Sequence, residues 1–517
     1  MKKVFILFLL PFLGFAQSTL ITAGGTGNVN LPNLTYSQIT AIASPQRGMQ
    51  AFDTDYGCIR VYNGTSWRCH DTPENDPNVT ITAIKSDNTG ISNIFSTYND
   101  IFPNNSTIVA GTFSGTTTFG TTTLTSAGGQ DIFLVKYDQN GAVSWAYRMG
   151  GAGNGSNLFG DELISDVMVE PSTQNFYIVG SVASATVTGV TAASGATIPT
   201  AVGGTDGFIA KFDVNGQLLW SSTFNGTGTF SFDGFNTMSV FGSEVYVGGY
   251  QTGGTNLGGF NITAPRFVAK YNSLGVVQWV YETSGIIKDL ASNFNRVLIT
   301  GNFNSTILLG ASTYTSVGGA DAFVACLDNS GNFVWGDTFG SVNGDNGNSV
   351  AINNGKALVA GNYSATMSWG NNTLSIFSGI ENFLVQYDMS GNKEWIKAIK
   401  GTSFSDNITA IRTDALNNIY LLGIMNNKLW IDRKIITQWN SLLCIFVAKL
   451  SPTADCIWAK TFTSNTIQPF GISSSIIMSG VSKINISGYF SGVNIKFGHS
   501  TLTTNGNNMF VATFIEN

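Results

Sequence analysis

A phenylalanine followed twelve residues later by a tryptophan recurs along this chain, and this spacing constrains the fold more than any other feature. The pairs are Phe133 and Trp145, Phe208 and Trp220, Phe267 and Trp279, Phe323 and Trp335, Phe383 and Trp395, and Phe446 and Trp458. A seventh phenylalanine, Phe510, opens the same pattern in MFVATFIEN. Recurrence every 56 to 75 residues indicates a repeat architecture, in which similar units stack on one another.

Each copy predicts a β-hairpin. In DIFLVKYDQNGAVSW, apolar and polar residues alternate with the period of two that a strand requires, and the segment from Asp138 to Gly141 separates the two runs. An Asp-x-x-Gly sequence favours a type I turn closed by a glycine at positive φ. The sixth copy has Ser451 and Ala454 at these two positions, so we expect a less regular turn there.

Two further short runs precede each hairpin, so every unit is expected to hold four strands. One run ends in an aromatic residue, as in LITGNF at Phe303, and the other alternates, as in NSVAIN at Asn348. The last unit supplies three strands only. We expect the run VTITAIKS, from Val79 to Ser86, to complete it, because an open ring would expose two sheet edges.

The sequence therefore predicts an all-β fold. Four-stranded units at this period favour a seven-bladed β-propeller of four-stranded blades, here spanning residues 79–517 and closed by an N-terminal strand. A small N-terminal β-hairpin module is expected at residues 17–78. The composition agrees, because 43% hydrophobic and 11% charged residues with 60 glycines suit a turn-rich β protein.

The repeat units resemble the bacterial β-propeller repeat family known as SBBP, whose units read D-x-F-x-x-K-x-D-x-x-G-x-x-x-W followed by a G-x-F step. This resemblance implies the fold and assigns no activity. The turn is also similar to the docking turn of quinoprotein propellers, which are enzymes with a central cofactor, a calcium-ligating acid and a catalytic aspartate. The chain singles out no such residues. The segment around Cys58 resembles one found near the start of many exported Bacteroidetes proteins.

The start of the chain predicts export. Residues 1–16 read as a cleavable signal peptide, because Lys2 and Lys3 precede an apolar run that ends at Ala16. No later run has the length needed to span a bilayer. We expect a monomer in the periplasm, at the cell surface or outside the cell. A net charge of -6 without a basic stripe argues against nucleic acid as a partner.

An oxidising compartment makes the cysteines informative. The Asn63-Gly64 dipeptide predicts a two-residue hairpin loop that pairs Tyr62 with Thr65 and places Cys58 opposite Cys69. We therefore expect a disulfide between these two cysteines. We expect no partner for the remaining cysteines, Cys326, Cys444 and Cys456.

Residues that could carry chemistry are few. Neither histidine, His70 or His499, has a second histidine or a cysteine at metal-ligand spacing, and motifs for hydrolases, zinc proteases and P-loops are missing. The segment NGDNGNS at Asn343 has a composition compatible with calcium but lacks the bidentate glutamate of a calcium loop. We expect no cofactor, with calcium as the alternative left open.

Four aspartates each precede the first strand of a unit and are expected near one rim of the channel. They are Asp161, Asp233, Asp345 and Asp406. Aspartate at such a position either caps a turn or faces a ligand.

Two repeated residue types have alternative interpretations. The repeat lysines could form an anion-binding ring, but Cys326, Gln386 and Thr513 interrupt it, so we expect solvated strand faces. The repeat tryptophans could stack on a glycan or a cofactor, but their fixed position in each hairpin favours packing between neighbouring blades.

The sequence favours an exported, non-catalytic binding or adhesion module that recognises an extracellular protein or glycan through loops at the propeller rims. Long loops on a rigid scaffold usually carry recognition, and the second unit contains a long insertion at residues 182–204. One alternative is an extracellular glycan-active enzyme, which needs two carboxylates about 5 to 9.5 Å apart. The other is a structural component of a surface assembly, which would lack a ligand pocket.

Overall fold

The structure, a computed structural model, describes most of the chain from residue 31 onward. It leaves out residues 1–30, 55–57, 63, 66, 70–78, 86–92, 152–160, 184–203, 227–231, 378, 404, 433, 438–442, 465–468, 480, 492–493, 498–499, 504–506 and 517. The predicted signal peptide, both histidines and most of the insertion in the second unit therefore lie outside the described residues. The chain divides into two units, residues 1–77 and residues 78–517.

The N-terminal unit contains a small four-stranded sheet and one short helix. Its elements are β1 (Asn33–Leu34), α1 (Tyr36–Thr40), β2 (Gln50–Asp53), β3 (Cys58–Tyr62) and β4 (Trp67–Cys69). The strands lie in chain order in the sheet. The helix begins with a capping box, in which the Thr35 side chain accepts from the Gln38 N–H and the Gln38 side chain accepts from the Thr35 N–H.

The β3–β4 hairpin differs from the predicted one. Tyr62 pairs with Trp67, so the loop holds four residues, and the expected pairing of Tyr62 with Thr65 is wrong. The wider loop brings the rings of Tyr62 and Trp67 to a centroid distance of 5.6 Å, a cross-strand contact that the two-residue loop would not make. Cys69 consequently lies opposite the residue two positions after Cys58, not opposite Cys58 itself. The two cysteine side chains lie outside the described residues, so the disulfide stays a prediction.

Within the described residues, the second unit contains seven main antiparallel sheets, each with a four-stranded core that is extended to six strands in two of them, and the all-β prediction is confirmed. Where a core has a side hairpin, this hairpin lies between the second and third core strands along the chain. The first strand is β5 (Val79–Lys85). Sheet 1 holds β6 (Asn93–Ile101), β7 (Thr107–Ser114), the side hairpin β8 (Thr116–Phe119) and β9 (Thr122–Thr125), then β10 (Asp131–Tyr137) and β11 (Val143–Met149). Sheet 2 holds β12 (Leu163–Glu170), β13 (Asn175–Val182), β14 (Asp206–Phe212) and β15 (Leu218–Phe224). Sheet 3 holds β16 (Gly234–Phe241), β17 (Glu244–Tyr250), the side hairpin β18 (Thr255–Leu257) and β19 (Phe260–Ile262), then β20 (Arg266–Tyr271) and β21 (Val277–Thr283).

The remaining sheets repeat this order. Sheet 4 holds β22 (Ile286–Ser292), β23 (Arg296–Phe303), the side hairpin β24 (Thr306–Leu309) and β25 (Ser312–Thr315), then β26 (Asp321–Asp328) and β27 (Phe333–Phe339). Sheet 5 holds β28 (Asn346–Asn353), β29 (Lys356–Tyr363), the side hairpin β30 (Met367–Trp369) and β31 (Asn372–Leu374), then β32 (Glu381–Asp388) and β33 (Lys393–Gly401). Sheet 6 holds β34 (Asn407–Thr413), β35 (Ile419–Asn426), the side hairpin β36 (Lys428–Ile431) and β37 (Lys434–Thr437), then β38 (Leu443–Leu450) and β39 (Cys456–Ser464). Sheet 7 holds β40 (Pro469–Ser479), β41 (Val481–Ser491), the side hairpin β42 (Asn494–Phe497) and β43 (Ser500–Thr503), then β44 (Asn507–Glu516).

The N-terminal strand completes sheet 7, as predicted. Strand β5 pairs antiparallel with β44, from Lys85 opposite Phe510 to Val79 opposite Glu516. The outer edge of β44 is thereby hydrogen-bonded and not left open to another chain. The outer edges of sheets 5 and 6 are extended in a different way, because β36 pairs with β33 and β42 pairs with β39.

Each sheet buries its faces against its two neighbours. The apolar clusters of the described residues are each shared by two consecutive sheets, as where Leu134 of sheet 1 and Ile178 of sheet 2 belong to one cluster. Sheet 7 and sheet 1 share a cluster in the same way, with Val511 and Val109 among its members. The first strands of successive sheets lie side by side, and β40 lies beside β6.

The repeat tryptophans bind the turn of the next sheet, which confirms their predicted packing between neighbouring units. In four of the six copies the indole Nε1–H donates to a carbonyl oxygen of the turn between the third and fourth strands of the following sheet, and Trp395 and Trp458 pack in the apolar clusters between sheets. The pairs are Trp145 and Val214 at 3.4 Å, Trp220 and Ser273 at 3.0 Å, Trp279 and Asn329 at 3.0 Å, and Trp335 and Met389 at 3.0 Å. The turn glycine lies against the indole ring, so both its positive φ and its missing side chain are needed.

The sixth turn is as regular as the others, and the expected irregularity is wrong. The Ala454 N–H donates to the Ser451 carbonyl at 2.9 Å, and Ala454 adopts a φ of 61° where the other copies have glycine. The Ser451 hydroxyl accepts from the Asp455 N–H at 3.1 Å, as the Asp388 carboxylate accepts from the Asn392 N–H in the fifth copy. A hydroxyl therefore replaces the carboxylate without changing the turn.

The three described cysteine side chains are free thiols, at Cys326, Cys444 and Cys456. Cys444 pairs with Thr463 and Cys456 pairs with Leu450, so the register separates these two cysteines as expected. No helix in the described part of the chain is long and apolar enough to cross a membrane.

The tryptophan contact predicts different costs for alanine at two glycines of similar φ. At Gly331, with φ 83°, a Cβ atom would lie 2.6 Å from the Trp279 ring, whereas at Gly355, with φ 70°, it would meet no atom within 4 Å. We expect Gly331→Ala to lower the free energy of unfolding by about 3 kcal/mol and Gly355→Ala by about 1 kcal/mol. Guanidinium denaturation of both variants measures the difference. Equal losses would show that the indole contact contributes nothing beyond backbone strain.

Candidate functional site

A one-residue bulge occurs near the start of the first strand in sheets 1 to 6. In β22, Ile287 pairs with Gly301 and Asp289 with Thr300, so Lys288 has no partner on β23. A bulge bends the strand and redirects the side chain of the extra residue. The corresponding residues, called here the bulge residues, are Phe95, Ser165, Asn236, Lys288, Asn348 and Thr409.

A glycine on the second strand allows this bulge. A Cβ atom on Gly301 would lie 1.8 Å from the Ile286 carbonyl oxygen, and one on Gly361 would lie 1.8 Å from the Asn346 carbonyl oxygen. Any side chain at these positions would push the first strand away and restore the regular register. The glycine of runs such as LITGNF therefore determines where the bulge residue of the neighbouring strand is placed.

Four consecutive bulge residues line a cavity of about 390 Å³ at one end of the first strands. They are Asn236, Lys288, Asn348 and Thr409, and the remaining lining residues are Ile286, Ile287 and Asn407. The cavity is shallow and largely open to solvent, and its volume lies within the range of small-molecule sites. Its lining combines carboxamide, hydroxyl and ammonium groups with an apolar surface of similar extent, and the polar groups could bind a polar ligand.

Hydrogen bonds hold the polar lining in one arrangement. Lys288 Nζ donates to Asn346 Oδ1 at 2.8 Å and to Asn348 Oδ1 at 3.2 Å. Because lysine can only donate, these contacts fix which end of each carboxamide faces it. Asn348 Nδ2 then donates to Asn407 Oδ1 at 2.8 Å, and Asn362 Nδ2 donates to the same oxygen at 3.0 Å.

Lys288 is the one charged residue of the cavity lining. Its side chain is exposed to the cavity solvent, while desolvation by the surrounding walls lowers the pKa of its ammonium group. Among the described residues, no carboxylate lies within 4.0 Å of Lys288 Nζ. The cavity therefore carries a positive charge that the described residues do not neutralise.

In sheets 2, 4 and 5 the residue after the bulge fastens one sheet to the next. Asp166 Oδ2 accepts from the Met238 N–H at 3.0 Å, and Asp289 Oδ2 accepts from the Val350 N–H at 3.0 Å. Ser349 Oγ likewise accepts from the Ile411 N–H at 3.1 Å. The first strand is the inner edge of its sheet, so its outward N–H groups would otherwise lack a protein partner.

Two carboxylates and one guanidinium share this inner layer. Burial raises the pKa of Asp166 to about 7; the Met238 N–H and Arg412 lower it and the Asp289 charge raises it further. Arg412 Nη1 lies 3.9 Å from Asp289 Oδ2. Burial and the Asp166 charge raise the pKa of the neighbouring Tyr98 to about 12.

The four aspartates predicted at a rim do not come together as a site. Each accepts a backbone N–H from the segment between the second and third strands of a sheet, and none lines the cavity. The contacts are Asp161 with Gln130 at 2.8 Å, Asp233 with Thr252 at 2.8 Å, Asp345 with Ser364 at 2.9 Å and Asp406 with Asn426 at 2.7 Å. Of the two roles considered, these contacts support turn capping.

The segment considered for calcium is organised by protein donors. The Asp345 carboxylate accepts from the Ser341 N–H, from Ser341 Oγ at 3.0 Å and from the Ser364 N–H. Across the described ranges, no group of three or more His, Cys, Asp and Glu side chains is placed to hold a metal ion.

Three of the repeat lysines, Lys211, Lys270 and Lys449, are buried and Lys136 is half-buried, so their expected placement on solvated strand faces is wrong. Lys211 Nζ lies 2.9 Å from Glu170 Oε2 and 4.9 Å from the ring centroid of Tyr177. Lys449 has the corresponding contacts with Asp414 and Tyr420. An acid and an aromatic ring from other strands of the same sheet replace the water that the ammonium group would lose on burial.

The comparisons with known proteins assign no family. No protein-family model matches the chain. The regulatory protein FlaEY of Caulobacter vibrioides is 26% identical over 302 residues, which cover 52% of this chain and 29% of that protein. The chain thus spans less than a third of the curated relative that it matches.

Three solved structures were compared with the fold. A protein of unknown function from Bacteroides caccae covers 46% of this chain, over 69% of its own, with a TM-score of 0.26 and 11% identity. A protein of unknown function from Dyadobacter fermentans covers 84% of this chain, over 99% of its own, with a TM-score of 0.38 and 8% identity. A DUF4221 family member from Bacteroides vulgatus covers 86% of this chain, over 100% of its own, with a TM-score of 0.32 and 11% identity. Scores this low carry no argument about fold or function.

Asp166 predicts a pH dependence of stability. Because its folded pKa, about 7, exceeds the unfolded value near 3.9, the folded protein binds the extra proton between these pH values, and stability falls as pH rises through that window. Asp166→Asn keeps an acceptor for the Met238 N–H without the charge. We expect it to raise the free energy of unfolding at pH 8 by roughly 2 to 4 kcal/mol and to flatten the profile between pH 4 and 7. Denaturant titrations across pH test this, and an unchanged profile would contradict it.

Proposed function

We propose that this chain is an exported, non-catalytic binding module built as a seven-bladed β-propeller of the SBBP type, and that the cavity over the bulge residues is its ligand site. The seven four-stranded cores, the contact between β40 and β6 and the pairing of β5 with β44 support a closed ring of blades. The six Phe-to-Trp spacings, with the indole contact that explains them, support the repeat type.

The observation that carries the proposal is the pre-organised polar lining of the cavity. The Asn348 carboxamide is held by Lys288 and Asn407, so its orientation is set before a ligand arrives. A group that is already ordered loses little conformational entropy on binding. Carboxamides and hydroxyls both donate and accept, which suits the hydroxyl groups of a glycan or the main chain of a protein.

The lining favours binding over glycan hydrolysis. A glycosidase needs two carboxylates that flank the scissile bond, and none of the lining residues is an acid. The nearby Asp166 and Asp289 accept backbone N–H groups of the next sheets, which occupies them in fastening the sheets. A purely structural role is less well supported because the cavity and its ordered network would then have no use.

Export supports an extracellular protein or glycan as the partner. The proposal of export rests on the signal-peptide features of residues 1–16. The ligand is expected to reach the cavity from outside the cell or from the periplasm.

A binding screen on the mature protein tests the function. We expect a saturable hit on a glycan array or in a surface pull-down, and we expect the double variant Asn348→Ala with Asn407→Ala to weaken it by about tenfold or more. Asn295→Ala is the matched control, because this exposed asparagine follows the opposite end of β22. Repeating the screen in calcium and in EDTA shows whether a cation takes part.

A hit that the double variant retains in full would place recognition elsewhere on the surface. No hit for folded wild-type protein in either assay would contradict the binding function. Thermal melting of each variant separates loss of binding from loss of fold.

A further inference from the structure

We propose that the ligand of the cavity carries one carboxylate on a polyhydroxylated ring, so that its chemical class is an acidic glycan. This inference rests on the binding function proposed above and names the ligand class of the same cavity. It is argued from the charge, the free donors and the size of the lining.

The Lys288 ammonium group has one N–H donor that can bind a ligand. An ammonium group has three donors, and the contacts with Asn346 and Asn348 use two of them. Both acceptors are neutral carboxamides, which orient the ammonium group without cancelling its charge. The third donor is available on the side of the group that faces the cavity solvent.

Lys288 differs in this respect from other lysines of the second unit. Lys211 Nζ lies 2.9 Å from a carboxylate oxygen of Glu170, and Lys270 Nζ lies 2.8 Å from one of Glu244. Their charges are compensated inside the protein. Lys288 has no such partner among the described residues, and the carboxylate of the adjacent Asp289 is bound to Ser349 Oγ at 2.6 Å and to the Val350 N–H.

The charge of the cavity matches a carboxylate better than a phosphate. The lining supplies one cation with one remaining donor, whereas phosphate sites gather several donors around up to two negative charges. The cavity walls exclude part of the water around the Lys288 ammonium group, and this desolvation lowers the Lys288 pKa. A bound carboxylate would offset the desolvation by placing an opposite charge beside the ammonium group.

The rest of the lining suits ring hydroxyls. Asn236 and Thr409 are bulge residues on either side of the Lys288–Asn348 pair, and Asn407 lies next to Asn348. These side chains offer donors and acceptors around a space of about 390 Å³, which accommodates a small ligand or the terminal residue of a chain. Ile286 is exposed and supplies an apolar surface for the carbon face of a ring, whereas Ile287 is buried.

Calorimetric titration with galacturonate and with its methyl ester tests the charge directly, since esterification removes the one negative charge and keeps the hydroxyls. Sialyllactose and its methyl ester provide a second pair with a different carboxylate-bearing sugar. We expect wild-type protein to bind at least one acid about tenfold or more tightly than its ester. Lys288→Gln is expected to abolish that preference, so that the acid and the ester bind this variant with affinities within about twofold of each other. Lys428→Gln, at an exposed lysine outside the cavity, should behave as wild type.

Equal affinity of the wild type for acid and ester, or an acid preference that persists in Lys288→Gln, would overturn the inference. Failure of both acids to bind would overturn it as well. A neutral glycan that binds saturably and is lost with Asn348→Ala and Asn407→Ala would still support the binding function, so the two failures are distinguishable. Preference for one acid over the other identifies the sugar and supports the inference.

Discussion

Successive sheets of the second unit are joined by one recurring hydrogen bond, which runs from the indole N–H of a fourth strand to a turn carbonyl of the next sheet at four junctions. The bond requires a turn of defined shape at a defined position along the hairpin. Asp328 and Gly331 form this turn opposite Trp279. This explains the twelve-residue spacing. Within one hairpin the spacing fixes the position of the tryptophan relative to the turn, and that turn accepts the hydrogen bond of the tryptophan from the preceding sheet. A local sequence rule thereby produces contacts between units some 60 residues apart.

The inner strands meet a different requirement. Each is an edge strand whose outward N–H groups need partners, and in sheets 2, 4 and 5 the residue after the bulge accepts one from the neighbouring sheet. In sheets 3 to 6 the bulge residue one position earlier lines the cavity. Adjacent positions such as Lys288 and Asp289 thus separate the lining of the cavity from the fastening of the sheets, so the lining varies between sheets while Asp166, Asp289 and Ser349 all act as acceptors.

Local patterns predicted most of the architecture. Alternation and turn residues predicted the hairpins, and the missing fourth strand of the last unit predicted the pairing of β5 with β44. Prediction failed where a distant or aromatic partner decides the outcome. The burial of Lys211 depends on Glu170 and Tyr177, forty-one and thirty-four residues earlier in the chain, and the Tyr62–Trp67 contact outweighed the Asn63-Gly64 turn signal.

The cavity was missed because a bulge does not interrupt the alternation enough to be seen in one strand. A signal did exist: aligning ISDVMVE, NSVAIN and ITAIRT on the residue after the bulge places Ser165, Asn348 and Thr409 at one position. Their shared polar character, next to a glycine-bearing second strand, marks the bulge position. The rim aspartates drew attention instead, because acidic residues before a strand are visible without any alignment of the units.

The claim on which the account depends is that the first and last strands of the second unit pair with each other. Ala83 lies opposite Ala512 in this pairing, and opposed residues of an antiparallel pair are close enough for a disulfide. With Cys326, Cys444 and Cys456 replaced by serine, Ala83→Cys with Ala512→Cys should form a bond within one chain under native conditions, detected by peptide mass spectrometry. The control pair Ala83→Cys with Ser330→Cys should not. Cross-links only between chains, or none in folded protein, would contradict the closed arrangement.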